Sequence, residues 1–433
     1  MPPAKFLNRQ SLYLRPDPAR VVVRPFRPAV EPRDLNVTDK KRANHIVDRA
    51  LALDPAMAAT LLAEVLENFQ GRHRNLLAIF EARADEMEDA FAEHTNFTVD
   101  QRRLIGAYFL NEYSFEAAAL FNPSIVAHTD QSGAPPGTRR FILSLRAVGE
   151  GHISSLTFRS GVVAADGSVS VDPSARLASV PGIVTRTAGP DGDAVELAFG
   201  SEAELSERVI FPVTESQSNG IEDARFVEFD DAGERKYYAT YTAYNGKAIR
   251  SELLETRDFL KFRMSPLRGA ATRNKGMALF PRRVDGRYAM IARQDNENLY
   301  LIYSDDLYTW NDSGKAILKP QFPWEFVQIG NCGSPIELDE GWLLLTHGVG
   351  PVRKYSIGAV LLDKKDPSKV LGRASEPLVK PEPSEREGYV PNVVYTCGAM
   401  RHNNQIVLPY AVSDTFSNFA TIEIAALMKL MGC

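Results

Sequence analysis

Two short stretches decide the fold: "ETRDFLKF" at residues 255–262 and "YSDDLYTW" at residues 303–310. Each leaves a short strand, places an aspartate in a turn and sets an aromatic residue four positions later: Phe262 after Asp258, Trp310 after Asp306. Each is preceded by a pair of strands. A recurring unit of hairpin plus turn is the trace that propeller blades leave in a sequence. The surrounding chain agrees from about residue 120 onward. "RRFILSLRAV", "ISSLTFRSGVV", "ARFVEFD", "KYYATYTAY", "RYAMIARQ", "NLYLIYSDD", "GWLLLTHGV", "SIGAVLLD", "NVVYTCGAM" and "QIVLPYAV" alternate or are rich in β-branched and aromatic residues. Gly, Asp, Asn and Pro separate them. Long crossover helices are absent, which disfavours a parallel α/β architecture. A β-sandwich makes similar strands, but the repeated turn favours a propeller.

The chain changes character near residue 115. Residues 38–115 read as helical. Asp54-Pro55 offers an N-cap followed by proline at the first helical position, and "MAATLLAEVLENF" continues with helical periodicity. "RNLLAIFEARADEMEDAF" is a second amphipathic stretch, and "TVDQRRLIGAYFL" begins with a capping box from Thr98 to Gln101. The expected division is a largely helical extension over residues 1–115 and an all-β domain over 116–433. Apolar stripes on such helices pack a core, as an appended layer or as a subunit interface that would make the protein a homo-oligomer.

The bulk numbers set limits. The chain has 433 residues, 44% of them hydrophobic and 24% charged, so a buried core is expected. A formal net charge of −5 argues against non-specific nucleic-acid binding, which needs a basic stripe, while leaving room for a local basic pocket. The three cysteines, Cys332, Cys397 and Cys433, give no disulfide framework and suggest a reducing compartment. Neither they nor the seven scattered histidines have metal-ligand spacing. The N-terminus shows no apolar stretch of signal-peptide length, and no segment approaches the roughly 20 apolar residues needed to span a bilayer. The expectation is a cytoplasmic protein without membrane or nucleic-acid partners.

In a propeller the inner strands of every blade converge on one axial pocket, so residues distant in sequence meet there. That geometry suits a sugar, whose hydroxyls must be held from several sides. Polar residues at strand ends are frequent: "GIEDARF" (220–226), "TRNKGMALFP" (272–281), "IARQDNENLY" (291–300), "LLLTHGVGPVRKYSIGA" (343–359), "EREGYVPNVVYTCG" (385–398) and "PYAVSDT" (409–415). In their order, "GIEDAR", "YTAY", "NKGMALFP", "YSDDLYTW", "GWLLLTHGV", "GAVLLDKKDPSKVLGR", "EREGYVPNVVYTCG" and "AVSDT" resemble glycoside hydrolase family 130, the β-mannoside phosphorylases and related mannosidases. "GIEDAR" stands for the family's G-x-E-D-P-R, with Ala224 where the family usually has proline. That change relaxes the backbone and removes no functional group. The resemblance covers roughly residues 120–425 and implies a five-bladed propeller. It also implies that Asp223 gives a proton to the glycosidic oxygen, directly or through a substrate hydroxyl.

Glycoside cleavage needs an acid for the leaving oxygen and a nucleophile on the other face of the sugar. Asp223 suits the acid if burial or neighbouring Glu222 raises its pKa; the plain alternative is an exposed turn paired with Arg225. An inverting hydrolase needs a second carboxylate to activate water, and Glu387 is the candidate, with a salt bridge to Arg386 as its ordinary role. A phosphorylase instead needs cations and donors for phosphate. The candidates are Arg273, Lys275, Arg293, Arg353 and Lys354, with His347 and Tyr355 as donors. By resemblance, Lys275, Arg293 and Arg353 stand at the family's basic phosphate-binding positions, which its hydrolytic members have lost. Arg293 sits in an apolar strand, where an unpaired charge is costly. Arg353 and Lys354 are expected to face opposite ways on a strand. For the sugar, the polar candidates are Arg146, Asn274, Asp295 and Asp414, with Tyr244 and Tyr389 as aromatic platforms; the resemblance makes Asp414 a mannose ligand. His152 could touch either ligand. The expected activity is inverting phosphorolysis of β-mannosides to α-mannose 1-phosphate, with inorganic phosphate as co-substrate and no cofactor. The alternatives are a β-mannosidase on the same scaffold and a non-catalytic glycan-binding propeller.

Overall fold

The computed structural model describes residues 6–26, 28, 42–87 and 96–433. The chain divides into two compact units. One holds Ala19–Ser114 with Arg176–Ser179; the other holds the chain up to Pro18, Phe115–Ala175 and Val180–Cys433.

The larger unit is a five-bladed β-propeller. Blade I is the antiparallel set Ala119–Ala127, Arg139–Val148 and Ser154–Val163. Blade II runs Gly220–Asp231, Glu234–Tyr244, Ile249–Thr256 and Lys261–Pro266. Blade III is Ala278–Leu279, Tyr288–Ala292, Leu299–Ser304 and Lys315–Leu318. Blade IV is Gln328–Asn331, Trp342–Val349, Tyr355–Leu362 and Val370–Arg373. Blade V takes Val394–Tyr395, Gln405–Val412 and Phe416–Glu423 from the C-terminal end and Leu7–Arg9 from the N-terminal end. Leu7 pairs with Ile422 and Arg9 with Ala420, so the two ends of the chain share a blade. This strand lies with the propeller, not with the helical residues 1–115 among which the sequence division placed it. Blades V and I meet through the main chain, Leu120 N donating to Thr415 O at 2.9 Å and Cys397 N to Pro123 O at 2.8 Å.

The repeated turn has a simple basis. In blade II, Asp258 Oδ1 accepts from Leu260 N and Lys261 N, both at 2.9 Å, which closes the hairpin. In blade III, Asp306 Oδ1 accepts from Tyr308 N at 3.1 Å. The aromatic residue that follows goes inward: Phe262 is 2% exposed and Trp310 0%. Phe158 of blade I stacks on Phe262 at 5.8 Å and meets Phe226 edge-on at 6.1 Å, while Phe280 meets Trp342 at 5.1 Å between blades III and IV. Each such ring buried between blades contributes about 1.5–3 kcal/mol relative to exposure.

The smaller unit carries helices Arg42–Leu51, Pro55–Phe69, Leu76–Asp85 and Val99–Tyr108. Asp54 caps the second, accepting from Ala56 N at 2.8 Å. Thr98 and Gln101 form the reciprocal box, with Thr98 N donating to Gln101 Oε1 at 2.8 Å and Gln101 N to Thr98 Oγ1 at 3.2 Å. A two-stranded antiparallel sheet, Val21–Pro25 with Leu110–Ser114, completes the unit; the second strand falls where the sequence pattern reads helix. No described helix is long and apolar enough to cross a membrane.

Candidate active site

A cavity of about 440 Å³ opens on the propeller axis, and every blade contributes to its wall. Blades I and II supply Asn122, Arg146, Glu222, Asp223 and Arg225; blade III supplies Lys275, Arg293 and Asn296; blade IV supplies Gln328, Asn331, His347, Arg353 and Tyr355; blade V supplies Tyr395 and Asp414.

Adjacent residues on a regular strand point to opposite faces, yet Glu222 and Asp223 both reach this cavity. The pairing of Gly220–Asp231 with Glu234–Tyr244 slips between Glu222 and Arg225, and Asp223 takes a left-handed φ of 53°. This bulge re-aims the strand. The inner strand of blade I does the same: its register slips between Phe121 and Ser124, and Asn122 has φ 49°. The two bulged residues meet, Asn122 Nδ2 donating to Asp223 Oδ1.

Asp223 stands among cations. Arg146 Nη1 lies 3.4 Å from Oδ1 and Arg225 Nη2 3.6 Å from Oδ2. Arg225 is 3% exposed and is fixed by donating to Tyr395 Oη at 2.8 Å and to the Asp223 carbonyl at 2.9 Å, so the exposed-turn reading of this segment is wrong. The expected direction of the Asp223 pKa is also reversed. Burial pushes it up, but Arg225, Arg146 and Lys275, with the Asn122 hydrogen bond, prevail and hold the carboxyl below the usual carboxylate range. Asp414 behaves as was expected of the acid. Burial and the charges of Asp223 and Glu222 outweigh Arg146 and Arg353 and push it up to about 6.

Across the axis the cavity is basic and poorly satisfied. Arg293 is 8% exposed; it lies one residue beyond the strand Tyr288–Ala292, and its Nε has no partner. With its amide turned as its neighbours require, Gln328 accepts from Arg293 Nη1 at 2.6 Å. Both side-chain polar atoms of Asn331 and the Nδ1 of His347 are buried without partners. His347 stacks on Tyr355 at 5.7 Å and lies 4.9 Å from the Tyr395 ring. Burial, then Arg293 and Arg225, hold its imidazole well below its ordinary pKa, so it is neutral. Its seat depends on Gly330, where a Cβ would fall 2.2 Å from His347 Cε1. Buried groups of this kind are costly unless something pairs with them, and here they surround a cavity.

Of the residues chosen from sequence, the fold brings Asp223, Lys275, Arg293, His347, Arg353, Tyr355, Arg146 and Asp414 to the cavity. Arg353 arrives differently from expectation. It is not on a strand but ends the turn Pro351–Arg353 at φ 53°, its guanidinium 5.6 Å from the Tyr355 ring. Arg273, Lys354, His152 and five further choices lie outside the cavity wall. Asn274 donates to Asn296 at 2.7 Å, and Asp295 is spent on a turn, accepting from Glu297 N, Asn298 N and Tyr300 Oη. Tyr244 donates to Gly246 O at 3.1 Å. Tyr389 is 47% exposed and shares a 2.6 Å hydrogen bond with His152. Glu387 is exposed, and Arg386 turns instead to Asn392 at 2.7 Å. The sequence reading missed Asn122, Glu222, Arg225, Asn296, Gln328, Asn331 and Tyr395 as wall residues. The Asn-Pro pair at 122–123, which interrupts a β-rich segment, was a signal for the first.

Comparison with known proteins identifies the family. Residues 196–432 match the family model for glycoside hydrolase family 130, described as β-1,4-mannooligosaccharide phosphorylase. A 1,2-β-oligomannan phosphorylase of Thermoanaerobacter sp. (strain X514) is 35% identical over 225 residues, 51% of this chain and 74% of that one. A β-1,4-mannooligosaccharide phosphorylase of Ruminococcus albus is 33% identical over 161 residues, 34% of this chain and 47% of that one. The structure of β-1,2-mannobiose phosphorylase from Listeria innocua with β-1,2-mannobiose superposes with a TM-score of 0.51 at 20% identity, over 73% of this chain and 92% of the other, a likeness of fold. The family match spans more than half of the sequence and includes Asp223, Lys275, Arg293, Arg353 and Asp414: the chain belongs to glycoside hydrolase family 130.

Proposed function

We propose that this chain is an inverting β-mannoside phosphorylase. The observation that carries the reading is the distribution of charge around the cavity. Its carboxylates, Glu222, Asp223 and Asp414, all come from blades II and V. Blades III and IV present Lys275, Arg293 and Arg353, the neutral donors Asn331, Gln328 and Tyr355, and His347. Among the described residues, no carboxylate from those two blades lines the cavity, so no acidic side chain there stands ready to activate a water molecule. Glu387, the candidate for that role, is outside it. The cationic side chains exceed the carboxylates by two, the charge of a phosphate dianion, and guanidinium and ammonium groups are the natural ligands of such an anion.

In the reaction, Asp223 gives its proton to the glycosidic oxygen, directly or through a sugar hydroxyl, while that oxygen leaves C1. A phosphate oxygen, held by Lys275, Arg293 and Arg353, bonds to C1 from the opposite face. The products are α-mannose 1-phosphate and a chain shorter by one mannose. The cations that crowd Asp223 favour its ionised form. A phosphate dianion draws on the same cations and returns the carboxyl toward protonation. Arg146, Asn122 and Asp414 surround the sugar. The chemistry uses no cofactor, and a cytoplasmic location, where inorganic phosphate is at hand, suits it.

The test is to incubate the protein with β-1,2- and β-1,4-mannobiose, with and without phosphate, and to identify the products. Mannose 1-phosphate formed only with phosphate supports the reading, and the two substrates report the linkage. Free mannose released at a rate indifferent to phosphate makes the protein a hydrolase. No turnover of any β-mannoside makes it a binding propeller.

A further inference from the structure

Glu222 lines the cavity but has no part in the reaction above. Among the described residues its side chain has one direct partner, Arg146, whose Nη2 donates to Glu222 Oε1 at 2.6 Å, while Nη1 stays 3.4 Å from Asp223 Oδ1. The guanidinium is held on two further sides. Nε donates to Ser154 Oγ at 2.9 Å, and its face lies 4.9 Å from the Phe121 ring. The short bond therefore goes to the carboxylate without a chemical role, and the long one to the carboxylate that must carry a proton. We propose that Glu222 is a positioning residue for the acid: it engages Arg146 so that this cation orients Asp223 without forming a full ion pair with it.

The inference rests on the reading of Asp223 as proton donor. The bulge makes it geometrically possible, since only the left-handed Asp223 lets two consecutive carboxylates share one arginine. The groups around Asp223 are the cations Arg225 and Lys275, the carboxyl Asp414, and Tyr395 and Cys397, with Arg293 and His347 beyond. Arg225 is tied to Tyr395 and to the Asp223 carbonyl, and Lys275 comes from blade III. Of the three cations nearest Asp223, Arg146 is the one a neighbouring carboxylate holds at short range. Removing the Glu222 charge lets Arg146 act on Asp223 alone, which favours the ionised acid. The protonated fraction falls, and with it the rate with any substrate whose leaving group needs a proton.

The test uses Glu222→Gln, which keeps shape and a hydrogen-bond acceptor but loses the charge. With a mannobiose, kcat/KM should fall about tenfold or more, the equivalent of about one pH unit in the acid. The alkaline limb of the profile should move to lower pH. With 4-nitrophenyl β-mannoside, whose leaving group needs little protonation, the loss should shrink to a few-fold. Ser154→Ala, which frees the other end of Arg146 without touching the acids, should move the pH limb in one direction or the other. An equal loss on both substrates with an unmoved pH limb would make Glu222 a sugar ligand or a structural residue and overturn the proposal. So would an unmoved limb in Ser154→Ala if Glu222→Gln does not fold. Products settle the separate question of phosphorolysis: whether mannose 1-phosphate forms, or free mannose alone, is decided by the nucleophile, whatever Glu222 does.

Discussion

Asp414 offers a prediction in which function and stability oppose one another. Its carboxyl is pushed up to about 6 from an ordinary 3.8 by burial and by Asp223 and Glu222. That gap corresponds to about 3 kcal/mol. The raised value means the folded protein binds the proton more tightly than the unfolded chain. Relative to the protonated form, the cost is nil below about pH 4, grows as pH rises through about 6, and reaches about 3 kcal/mol above that, where the ionised group is held in the folded protein. Asp414→Asn removes the ionisation. It adds no new backbone strain, because asparagine also tolerates the left-handed φ of 48° found here. Urea unfolding at a series of pH values should give a difference, variant minus wild type, that grows between pH 4 and 6 to about +3 kcal/mol, or a few degrees in Tm for a unit of this size. The variant should bind mannoside worse, because an amide replaces a charged acceptor worth about 1.5–3 kcal/mol. A stability difference that does not change with pH would refute this reasoning, as would a variant less stable than wild type throughout; either would mean that favourable partners hold Asp414 ionised.

Asp223→Asn should lower turnover of mannobiose about 10²–10⁴-fold, the range of a lost general acid, with its circular dichroism and unfolding curve retained. Lys275→Met should raise the phosphate KM by roughly ten- to a hundredfold through loss of a charge-assisted contact, and change the mannoside KM little; an unchanged phosphate KM would remove Lys275 from the anion site. Gly330→Ala, whose methyl would meet the His347 ring, should destabilise by about 1–3 kcal/mol and weaken phosphate binding, read by thermal unfolding with and without phosphate.

Much of the propeller was legible because blades repeat. The turn aspartates at 258 and 306 carry the same chemistry, and the aromatic residues that follow go to the same kind of interblade core. Arg293 was legible for a related reason, as a charge next to an apolar strand. Tyr244 and Tyr389 were not, because an aromatic side chain suits a sugar platform in composition and says nothing of its direction. Asp295 misled because an aspartate in a polar loop competes for its own backbone N–H groups, as its bonds to Glu297 and Asn298 show. The direction of the Asp223 pKa was out of reach, since it depends on how close Arg146 and Lys275 come from other blades. Alternation along a strand was expected to separate Arg353 from Lys354, but the chain at 351–353 is a turn.

The cavity also explains why a propeller needs irregular backbone here. Regular inner strands would send alternate side chains into the blade and leave each blade few groups for the axis. Instead Asn122, Asp223, Asn296, Arg353 and Asp414, drawn from all five blades, line the cavity with left-handed φ between 48° and 63°. Such conformations cost about 1–3 kcal/mol each for residues other than glycine and persist only where the surroundings over-determine them. The over-determination is visible. Asn122 and Asp223 bond to each other, Phe226 N donates to Ser124 Oγ at 3.0 Å just beyond both bulges, and Ser413 N, next to Asp414, donates to Val393 O at 2.7 Å. All of these contacts assume that the neighbouring blades stay in place, and the Leu7–Arg9 strand, joining blade V from the other end of the chain, helps keep them there. The precision of the site therefore depends on closure of the ring, some distance from any residue that touches the sugar.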